Sequence, residues 1–248
     1  MGNKFYQKGA QRAEKVNDLF DAIAPRYDLI NDLQSFGLHR WWKQKLVKLA
    51  RTQPGDRALD LCCGTGDVSF ALARAGAEVT GLDFSGPMLA VAEGRKIKMK
   101  NEKFKNSDPL TAPRFLQGDA QHAPFPDAHF EVVTISYGLR NLASFDAALL
   151  EMWRLTKPGG RLLVLDFGKP DNATWRSLYF AYLRWFVPVL GKIFCGDPET
   201  HAYILESLKN YPAQLGVAAK MEELGCRDPQ IHNLLGGMMS INVGIRPG

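Results

Sequence analysis

The stretch Ala58–Asp67, ALDLCCGTGD, decides the fold of this chain of 248 residues. An apolar run stops at an acid and two cysteines, and two glycines, Gly64 and Gly66, follow one residue apart. Because glycine has no Cβ, the backbone can turn sharply at these positions and a ligand can lie close to it. The pattern predicts a buried strand, a tight turn and a helix, which is the arrangement at the ligand-binding edge of a doubly wound sheet.

From Arg57 onward, strand-like segments alternate with helix-like segments. Several strand-like segments are apolar without alternation, which is typical of parallel strands covered on both faces. The prediction is an α/β fold with a doubly wound, mostly parallel, seven-stranded Rossmann-like sheet, an antiparallel C-terminal edge hairpin and N-terminal helices that cover the site. The predicted strands are Ala58–Cys62, Glu78–Asp83, Arg114–Asp119, Glu131–Ser136, Arg161–Phe167, Gln230–Leu235 and Ser240–Arg246. The predicted helices are Glu14–Ile23, His39–Leu49, Val68–Ala75, Gly86–Met99, Phe145–Thr156, a long run from Asn172 onward and Ala213–Leu224.

No linker divides the chain, so residues 1–248 are predicted to form a single domain. Within it we distinguish a helical N-terminal cap (1–50), a ligand-binding core (51–170), a helical insertion (171–210) and a C-terminal helix with edge strands (211–248). The four cysteines have neither Cys-x-x-Cys nor metal-ligand spacing, and Met1–Asn17 lacks the apolar core of a cleavable signal. These features favour reduced thiols in the cytoplasm, and no metal site is predicted.

The net charge of +5 favours anionic partners, including a membrane surface. It is not gathered into the basic stripe that is expected of a nucleic-acid-binding protein, so no nucleic-acid partner is predicted. Apolar residues make up 46% of the chain and charged residues 23%, which is ordinary for a globular protein of this size.

Acids at strand ends indicate which ligand the turn holds. Asp83 ends the second predicted strand, and its carboxylate could accept hydrogen bonds from both hydroxyls of a ribose. Asp119 ends the third, and with Ala120 after it this acid could hold an adenine amino group. Asp60 and Asp67 flank the turn itself, where they would repel a pyrophosphate but not an ammonium group. Acids at three successive strand ends therefore favour a cationic nucleoside.

A dinucleotide is the main alternative ligand. Its Gly-x-Gly-x-x-Gly pattern is broken here, because the segment from Gly64 reads GTGDVS and Ser69 stands at the third glycine position. The segments ALDLCCGTGD, GLDFS, GDAQHAPFPDAHFEVV and LTKPGGRLLVLDF instead resemble a class I S-adenosylmethionine-dependent methyltransferase. That class usually has a glycine where Cys62 stands.

A narrower resemblance covers nearly the whole chain, from Val16 to Arg246. The segments FDAIAPRYDLINDLQSFGLHRWWK, ISYGLRN and LVLDFGKP resemble the quinone-biosynthesis C-methyltransferases, which methylate demethylmenaquinol and the ubiquinol precursor. The resemblance implies S-adenosylmethionine as cofactor and a lipophilic prenylated quinol as substrate. It implies cofactor contacts at Thr65, Asp83, Asp119, Ala120 and Ser136, to which we add the turn residues Asp60, Gly64 and Gly66.

Demethylmenaquinol is the expected substrate, because the CCGTGD segment resembles the members of this family that act on naphthoquinols. A ubiquinol precursor and a phytyl-naphthoquinol remain alternatives, as do another small-molecule or RNA methyltransferase and a non-catalytic subunit of a biosynthetic complex. A homodimer is also left open.

The chemistry of quinol methylation suggests roles for four residues. A ring carbon becomes nucleophilic once a neighbouring hydroxyl loses its proton, so the enzyme must align the two reactants and help to remove that proton. Arg140 could stabilise the phenolate, while Asn141 and Tyr27 could hold a relaying water. His39 is a second candidate base, because its usual pKa is near neutrality. Asp166 is given no role.

Two further segments suggest how a lipid reaches the site. Trp175–Phe194 is rich in aromatic residues but interrupted by charges and a proline, which predicts a helix that forms the apolar wall of a substrate pocket. Peripheral contact with the inner face of the cell membrane is predicted through a basic, tryptophan-containing helix, and rests on Arg40, Trp41, Trp42, Lys43 and Lys45.

Overall fold

A computed structural model describes residues 16, 18–21, 23–103, 112–195 and 199–248. Its strands are β1 Arg57–Leu61, β2 Glu78–Asp83, β3 Arg114–Gln117, β4 Phe130–Ser136, β5 Thr156–Phe167, β6 Arg227–Leu234 and β7 Met239–Ile245. Its helices are α1 Tyr27–Ser35, α2 Leu38–Ala50, α3 Asp67–Arg74, α4 Gly86–Lys103, α5 Phe145–Leu155, α6 Ala173–Ala181, α7 Val187–Cys195, α8 Glu199–Asn210 and α9 Ala213–Glu223. Short 3-10 turns occupy Ala24–Arg26, Leu139–Asn141 and Leu235–Gly237, and a π-helical segment, Tyr182–Phe186, joins α6 to α7.

The strands form one sheet in the order β3-β2-β1-β4-β5-β7-β6. The first five strands of this order are parallel to one another, while β7 runs antiparallel to both β5 and β6. The predicted fold class is therefore confirmed, including the antiparallel C-terminal pair. Because β1 and β2 are parallel and in register from Arg57↔Glu78 to Leu61↔Leu82, the turn after β1 lies beside the end of β2. This register places the glycine turn next to Asp83.

Two apolar clusters lie on opposite faces of the sheet, and the strands contribute to them alternately. In β5, Leu162 and Val164 belong to one cluster, and Leu163 and Leu165 belong to the other. Burying each such side chain contributes about 1.5–3 kcal/mol to stability. The uninterrupted apolar runs in the sequence have this cause, since both faces of the sheet are covered.

The structure differs from the predicted boundaries in several places. β5 begins at Thr156 and not at the predicted Arg161, because Thr156 already pairs with Phe130 ahead of a β-bulge. β3 ends at Gln117 instead of Asp119, because the Asp119 carboxylate accepts a hydrogen bond from the Gln121 backbone N–H and starts a turn. α4 extends to Lys103, beyond its predicted end at Met99, and most of the loop expected from there to Pro113 lies outside the described residues.

The N-terminal cap is more helical than predicted. The segment between the two predicted N-terminal helices contains α1, which ends at Phe36 and Gly37, both in the left-handed conformation. The predicted helix Glu14–Ile23 lies partly outside the described residues, and those of its residues that are described are helical.

The surface of α2 corrects part of the membrane prediction. Trp42 and Lys43 are buried, Trp42 in an apolar cluster and Lys43 in an ion pair with Asp67 at 2.7 Å, so neither can contact a membrane. Their side chains face the sheet because α2 packs against α3 and β5. Among the described residues, no helix combines the length and apolar character needed to cross a membrane.

The aromatic segment after β5 is confirmed as helical. Tyr179, Leu183 and Val187 follow each other at a spacing of four residues through α6, the π-helical segment and α7, and all three are buried on one side. Pro188 lies two residues after the π-helical segment, within a continuous run of helical residues, and its missing backbone N–H removes one hydrogen bond from that run.

Candidate active site

The turn between β1 and α3 contains three left-handed residues. Cys62, Gly64 and Gly66 have φ angles of 53°, 54° and 85°. Among the described residues, a Cβ added at Gly64 would have one atom within 4 Å besides its chain neighbours, Tyr27 Cε1 at 3.9 Å, whereas one added at Gly66 would lie 2.9 Å from Phe115 Cζ. The first glycine therefore keeps the backbone open toward the cavity beside it, and the second allows the turn to pack on an aromatic ring.

Cys62 occupies a left-handed conformation that favours glycine, which is the residue that the sequence resemblance leads us to expect at this position. We expect Cys62→Gly to change the free energy of unfolding by less than about 1 kcal/mol, because relief of backbone strain is offset by the larger entropy of unfolded glycine. Cys62→Val should be about 1–2 kcal/mol less stable than Cys62→Gly, since a β-branched side chain tolerates this conformation poorly. Urea unfolding of the two variants measures the difference, and equal stabilities would contradict the assigned strain.

An outer cavity of about 720 Å³ lies along the carboxyl ends of β1, β2 and β4. This volume is within the range of sites that bind a nucleoside-sized ligand. Among its lining residues are five of the eight predicted cofactor residues: Gly64, Asp83, Asp119, Ala120 and Ser136. The Ser136 hydroxyl is buried and has no hydrogen-bond partner among the described residues.

The Asp83 carboxylate connects the turn to the cavity. It accepts hydrogen bonds from the backbone N–H groups of Gly64 at 2.7 Å and Ser85 at 2.9 Å. Burial raises its pKa above the usual range, against the opposing effect of these two hydrogen bonds. Asp119 is more exposed, and its carboxylate accepts from the Gln121 backbone and approaches His122 Nδ1 at 3.2 Å.

Three predicted cofactor residues do not line this cavity: Asp60, Thr65 and Gly66. Asp60 alternates with Leu59 and Leu61 along β1 and faces α3. Its carboxylate accepts hydrogen bonds from Ser69 on α3 at 2.7 Å and from Thr134 on β4 at 2.9 Å. Burial raises the pKa of Asp60 to about 6. Asp60 thus supports the turn from beneath instead of facing the cavity.

Thr65 and Asp67 point toward the N-terminal cap and α4. The Thr65 hydroxyl donates to Asp28 at 2.7 Å, and Asp67 pairs with Lys43 and with Arg95, the latter at 2.6 Å. The suggestion that Asp67 meets an ammonium group of the ligand is therefore corrected, because two cations of the protein already neutralise it. These contacts attach α1 and α2 to the turn.

An inner chamber of about 110 Å³ adjoins the outer cavity. Its wall is mostly apolar and aromatic, and includes Phe20, Tyr27, Tyr137, Phe167, Tyr179, Tyr182 and Tyr203. Phe20, Tyr27 and Tyr137 line both spaces and form the partition between them. The predicted apolar wall from the segment after β5 is present here as Tyr179, Tyr182, Leu183 and Val187.

Arg140 is the buried cation of the inner chamber. Its guanidinium donates to Asp166 at 2.6 Å, and both side chains are almost fully buried, with 3% and 2% exposed. The same group donates to the Tyr203 hydroxyl at 3.3 Å and stacks over Phe167 at 4.4 Å. Asp166, which sequence reasoning set aside, is therefore the partner that holds Arg140. The available signal was its position at the end of a predicted strand.

Asn141 and Arg140 also hold a strained turn. Tyr137 has a φ of 61°, an unusual conformation for a tyrosine, and its carbonyl accepts hydrogen bonds from Arg140 at 2.6 Å and from Asn141 at 3.1 Å. The turn places Asn141 on the outer cavity and Arg140 on the inner chamber, with Tyr137 between them.

His39 lines the inner chamber from α2. Its Nε2 lies 2.8 Å from Asp32 Oδ1, and burial lowers its pKa below 6.5. The four predicted catalytic residues, Tyr27, His39, Arg140 and Asn141, thus all line one or both of the two adjoining spaces. Asp32 and Tyr203, which were not predicted, support them.

A model of the ubiE/COQ5 methyltransferase family matches residues 8–246. The chain belongs to this family. Curated relatives include the ubiquinone/menaquinone biosynthesis C-methyltransferases UbiE of Ectopseudomonas mendocina, 39% identical over 238 residues, and of Stutzerimonas stutzeri, 38% identical over 242 residues. Each alignment covers 96% of this chain and 91% of the relative.

Solved structures support the fold of this family member. An S-adenosylmethionine-dependent methyltransferase from Aquifex aeolicus has a TM-score of 0.59 at 16% identity, covering 88% of this chain and 97% of that one. The cyclase SpnF has a TM-score of 0.62 at 16% identity, covering 98% and 99%. Since the two differ in activity, the fold alone does not determine the reaction.

S-adenosylmethionine is the cofactor of this methyltransferase, and the outer cavity fits it. Asp83 can accept the two ribose hydroxyls, Gly64 leaves its backbone open, and the unpaired Ser136 hydroxyl offers a further contact. Asp119 and Ala120 line the same cavity. When bound, the cofactor supplies an electrophilic methyl group on its sulfonium.

Proposed function

We propose that this protein methylates a ring carbon of a prenylated quinol. The observation that carries the proposal is the pair of adjoining spaces, one suited to the nucleoside and one lined by aromatic and apolar side chains. The three aromatic residues that line both spaces lie where the two reactants would meet. A polar acceptor such as RNA would require an open, polar groove instead.

Arg140 has the charge that the reaction needs. Loss of a proton from a ring hydroxyl creates a phenolate, whose electron density makes the neighbouring ring carbon nucleophilic. A guanidinium in the apolar chamber stabilises this anion strongly, because no water screens the charge. The Asp166 and Tyr203 contacts fix the guanidinium before the substrate binds, so little reorganisation is needed.

Tyr27 and Asn141 are proposed to position the reacting hydroxyl or a water that carries its proton. Both line the outer cavity, and Tyr27 also lines the inner chamber. Burial raises the pKa of Tyr27, so its hydroxyl stays protonated and serves as a hydrogen-bond donor. The aromatic wall excludes bulk water, which protects the electrophilic methyl group from hydrolysis.

The finer proposal is that demethylmenaquinol is the substrate. The relatives are named for both ubiquinone and menaquinone biosynthesis. The dense aromatic lining of the chamber favours a bicyclic ring, which offers more surface for stacking than a single ring. The benzoquinol precursor remains the alternative.

An anaerobic assay with purified protein tests both the methylation of a quinol ring and the preference for the naphthoquinol. Methyl-labelled S-adenosylmethionine is incubated with a naphthoquinol and a benzoquinol that carry the same prenyl tail, and the products are identified by mass and fragmentation. We expect a ring methyl group on the naphthoquinol, and faster transfer than to the benzoquinol. A faster benzoquinol reaction would reverse the substrate preference, and no transfer to either ring would contradict the function.

Delivery of the substrate from a membrane surface is also proposed. After the correction of Trp42 and Lys43, the support comes from Arg40 and Trp41, which are exposed on α2, and from Trp185, which is exposed on the π-helical segment between α6 and α7. Sedimentation with anionic liposomes at low and moderate salt tests this contact. Absence of the protein from the pellet at both salt concentrations would rule it out.

A further inference from the structure

The inner chamber contains an unusual number of buried polar atoms without partners. Among the described residues, nine buried side-chain nitrogen or oxygen atoms have no hydrogen-bond partner, and five of these nine belong to residues that line this chamber. The five are Asn31 Nδ2, His39 Nδ1, Trp42 Nε1, Tyr137 OH and Arg140 Nε. Buried polar groups are almost always paired in folded proteins, so this concentration points to a polar ligand.

For one of these atoms, His39 Nδ1, the contacts of the imidazole ring decide whether it donates or accepts a hydrogen bond. His39 Nε2 lies 2.8 Å from Asp32 Oδ1, and Asp32 also accepts hydrogen bonds from Arg40 at 2.6 and 2.8 Å. These partners hold the pKa of Asp32 well below its usual range, so the carboxylate is ionised and can only accept. The imidazole proton must therefore be on Nε2, and Nδ1 is left as a hydrogen-bond acceptor.

Two other unpaired atoms, on residues that line the same chamber, have the opposite character. Trp42 lies three residues after His39 on α2, on the same side of the helix, and its indole Nε1 is a donor only. Asn31 Nδ2, on α1, is a second donor. A chamber that offers both an acceptor and donors complements a hydroxyl group, which gives and receives hydrogen bonds. The acceptor at His39 Nδ1 fits a carbonyl oxygen poorly, because a carbonyl cannot donate.

A quinol carries two hydroxyls on opposite sides of its ring. Arg140, on the turn after β4, faces the first hydroxyl in the proposed function, and His39 approaches the chamber from a different element, α2. We propose that His39, oriented by Asp32, binds the second hydroxyl of the ring and thereby selects the reduced, two-hydroxyl form. This inference rests on the proposed function. In it His39 is a binding residue and Asp32 a positioning residue.

Calorimetry with two small probes tests the contact without turnover. The full-length protein, saturated with S-adenosylhomocysteine, is titrated under argon with 1,4-dihydroxynaphthalene and with 1-naphthol, which lacks the second hydroxyl. We expect the wild type to bind the diol roughly tenfold more tightly, because 1-naphthol leaves a buried acceptor unpaired. In His39→Leu the two affinities should become equal, with the loss confined to the diol.

Two further variants keep the test decisive if His39→Leu is unstable. His39→Asn can present an amide oxygen near the position of Nδ1 and should retain part of the preference. Asp32→Asn no longer fixes the tautomer and should reduce the ratio of the two affinities, an effect that a purely structural role would not produce. Unchanged affinity for S-adenosylhomocysteine verifies that each variant is folded.

The outcomes separate this inference from the proposed function. Equal affinities in the wild type, or a preserved preference in folded His39→Leu or Asp32→Asn, would overturn the role of His39 while leaving quinol methylation in place. Absence of binding of either probe to the wild type would overturn both.

Discussion

Asp83→Ala is expected to weaken the binding of S-adenosylmethionine by at least about 100-fold. Two hydrogen bonds from ribose hydroxyls to an ionised carboxylate each contribute about 1.5–3 kcal/mol, and alanine removes both. Isothermal titration calorimetry measures the loss. An affinity close to that of the wild type would reject the assignment of Asp83 to the ribose.

The affinity for the cofactor should also depend on pH through the ionisation of Asp83. The ionised carboxylate is the form that accepts both hydroxyls, and burial raises the pKa of Asp83. Affinity should therefore be full well above this pKa and fall as the pH drops through it, beginning at a less acidic pH than for an unperturbed aspartate.

Asp60→Asn is the matched control for Asp83→Ala. Asp60 is also a buried acid at the same end of the sheet, but its carboxylate faces Ser69 and Thr134 and not the cavity. An asparagine can retain hydrogen bonds to both hydroxyls. We expect cofactor affinity to be nearly unchanged. A loss of affinity as large as that of Asp83→Ala would show that Asp60 contacts the cofactor.

Arg140→Gln is expected to lower kcat by about 100- to 1,000-fold while cofactor affinity stays unchanged. The guanidinium is proposed to stabilise a developing phenolate, and removal of one such preorganised group typically has an effect of this size. Single-turnover methyl transfer under anaerobic conditions separates the chemical step from product release. A wild-type rate in the folded variant would contradict the role of Arg140.

The same substitution also has a cost in stability. Asp166 would be left buried without its partner, which typically destabilises a protein by about 3–5 kcal/mol. Arg140→Gln combined with Asp166→Asn removes the unpaired charge and should recover much of the lost stability without recovering activity. Arg140→Lys keeps the charge but not the two-pronged geometry, and intermediate activity is expected.

The fold could be predicted because its determinants are local. Apolar runs of strand length, glycines at positions of positive φ and acids at strand ends lie within a few residues of each other, and they indicated the order of the elements. The boundaries were less certain. β5 starts five residues before its predicted beginning because its pairing with Phe130 depends on a strand about 26 residues earlier in the chain.

In the candidate site, too, the sequence indicated some residues that share a cavity, while tertiary packing decided where others point. Five of the predicted cofactor residues share the outer cavity, and their contact with the cofactor stays a prediction: Gly64, Asp83, Asp119, Ala120 and Ser136. Asp60 was assigned to the ligand from its strand-end position, although its alternation with Leu59 and Leu61 could have shown that it faces α3. Trp42 and Lys43 were assigned to a surface that tertiary packing in fact buries.

The sequence alone determined the α/β fold, the position of the ligand turn and the family, since each depends on residue type at fixed short spacing. Only the tertiary structure decided which charges meet. Arg140 pairs with Asp166, which lies 26 positions later in the chain, and His39 reaches Asp32 only because α2 packs against α1. The physical reason is that hydrogen bonds and ion pairs extend only about 3 Å, so partners distant in the chain are set by strand register and helix packing.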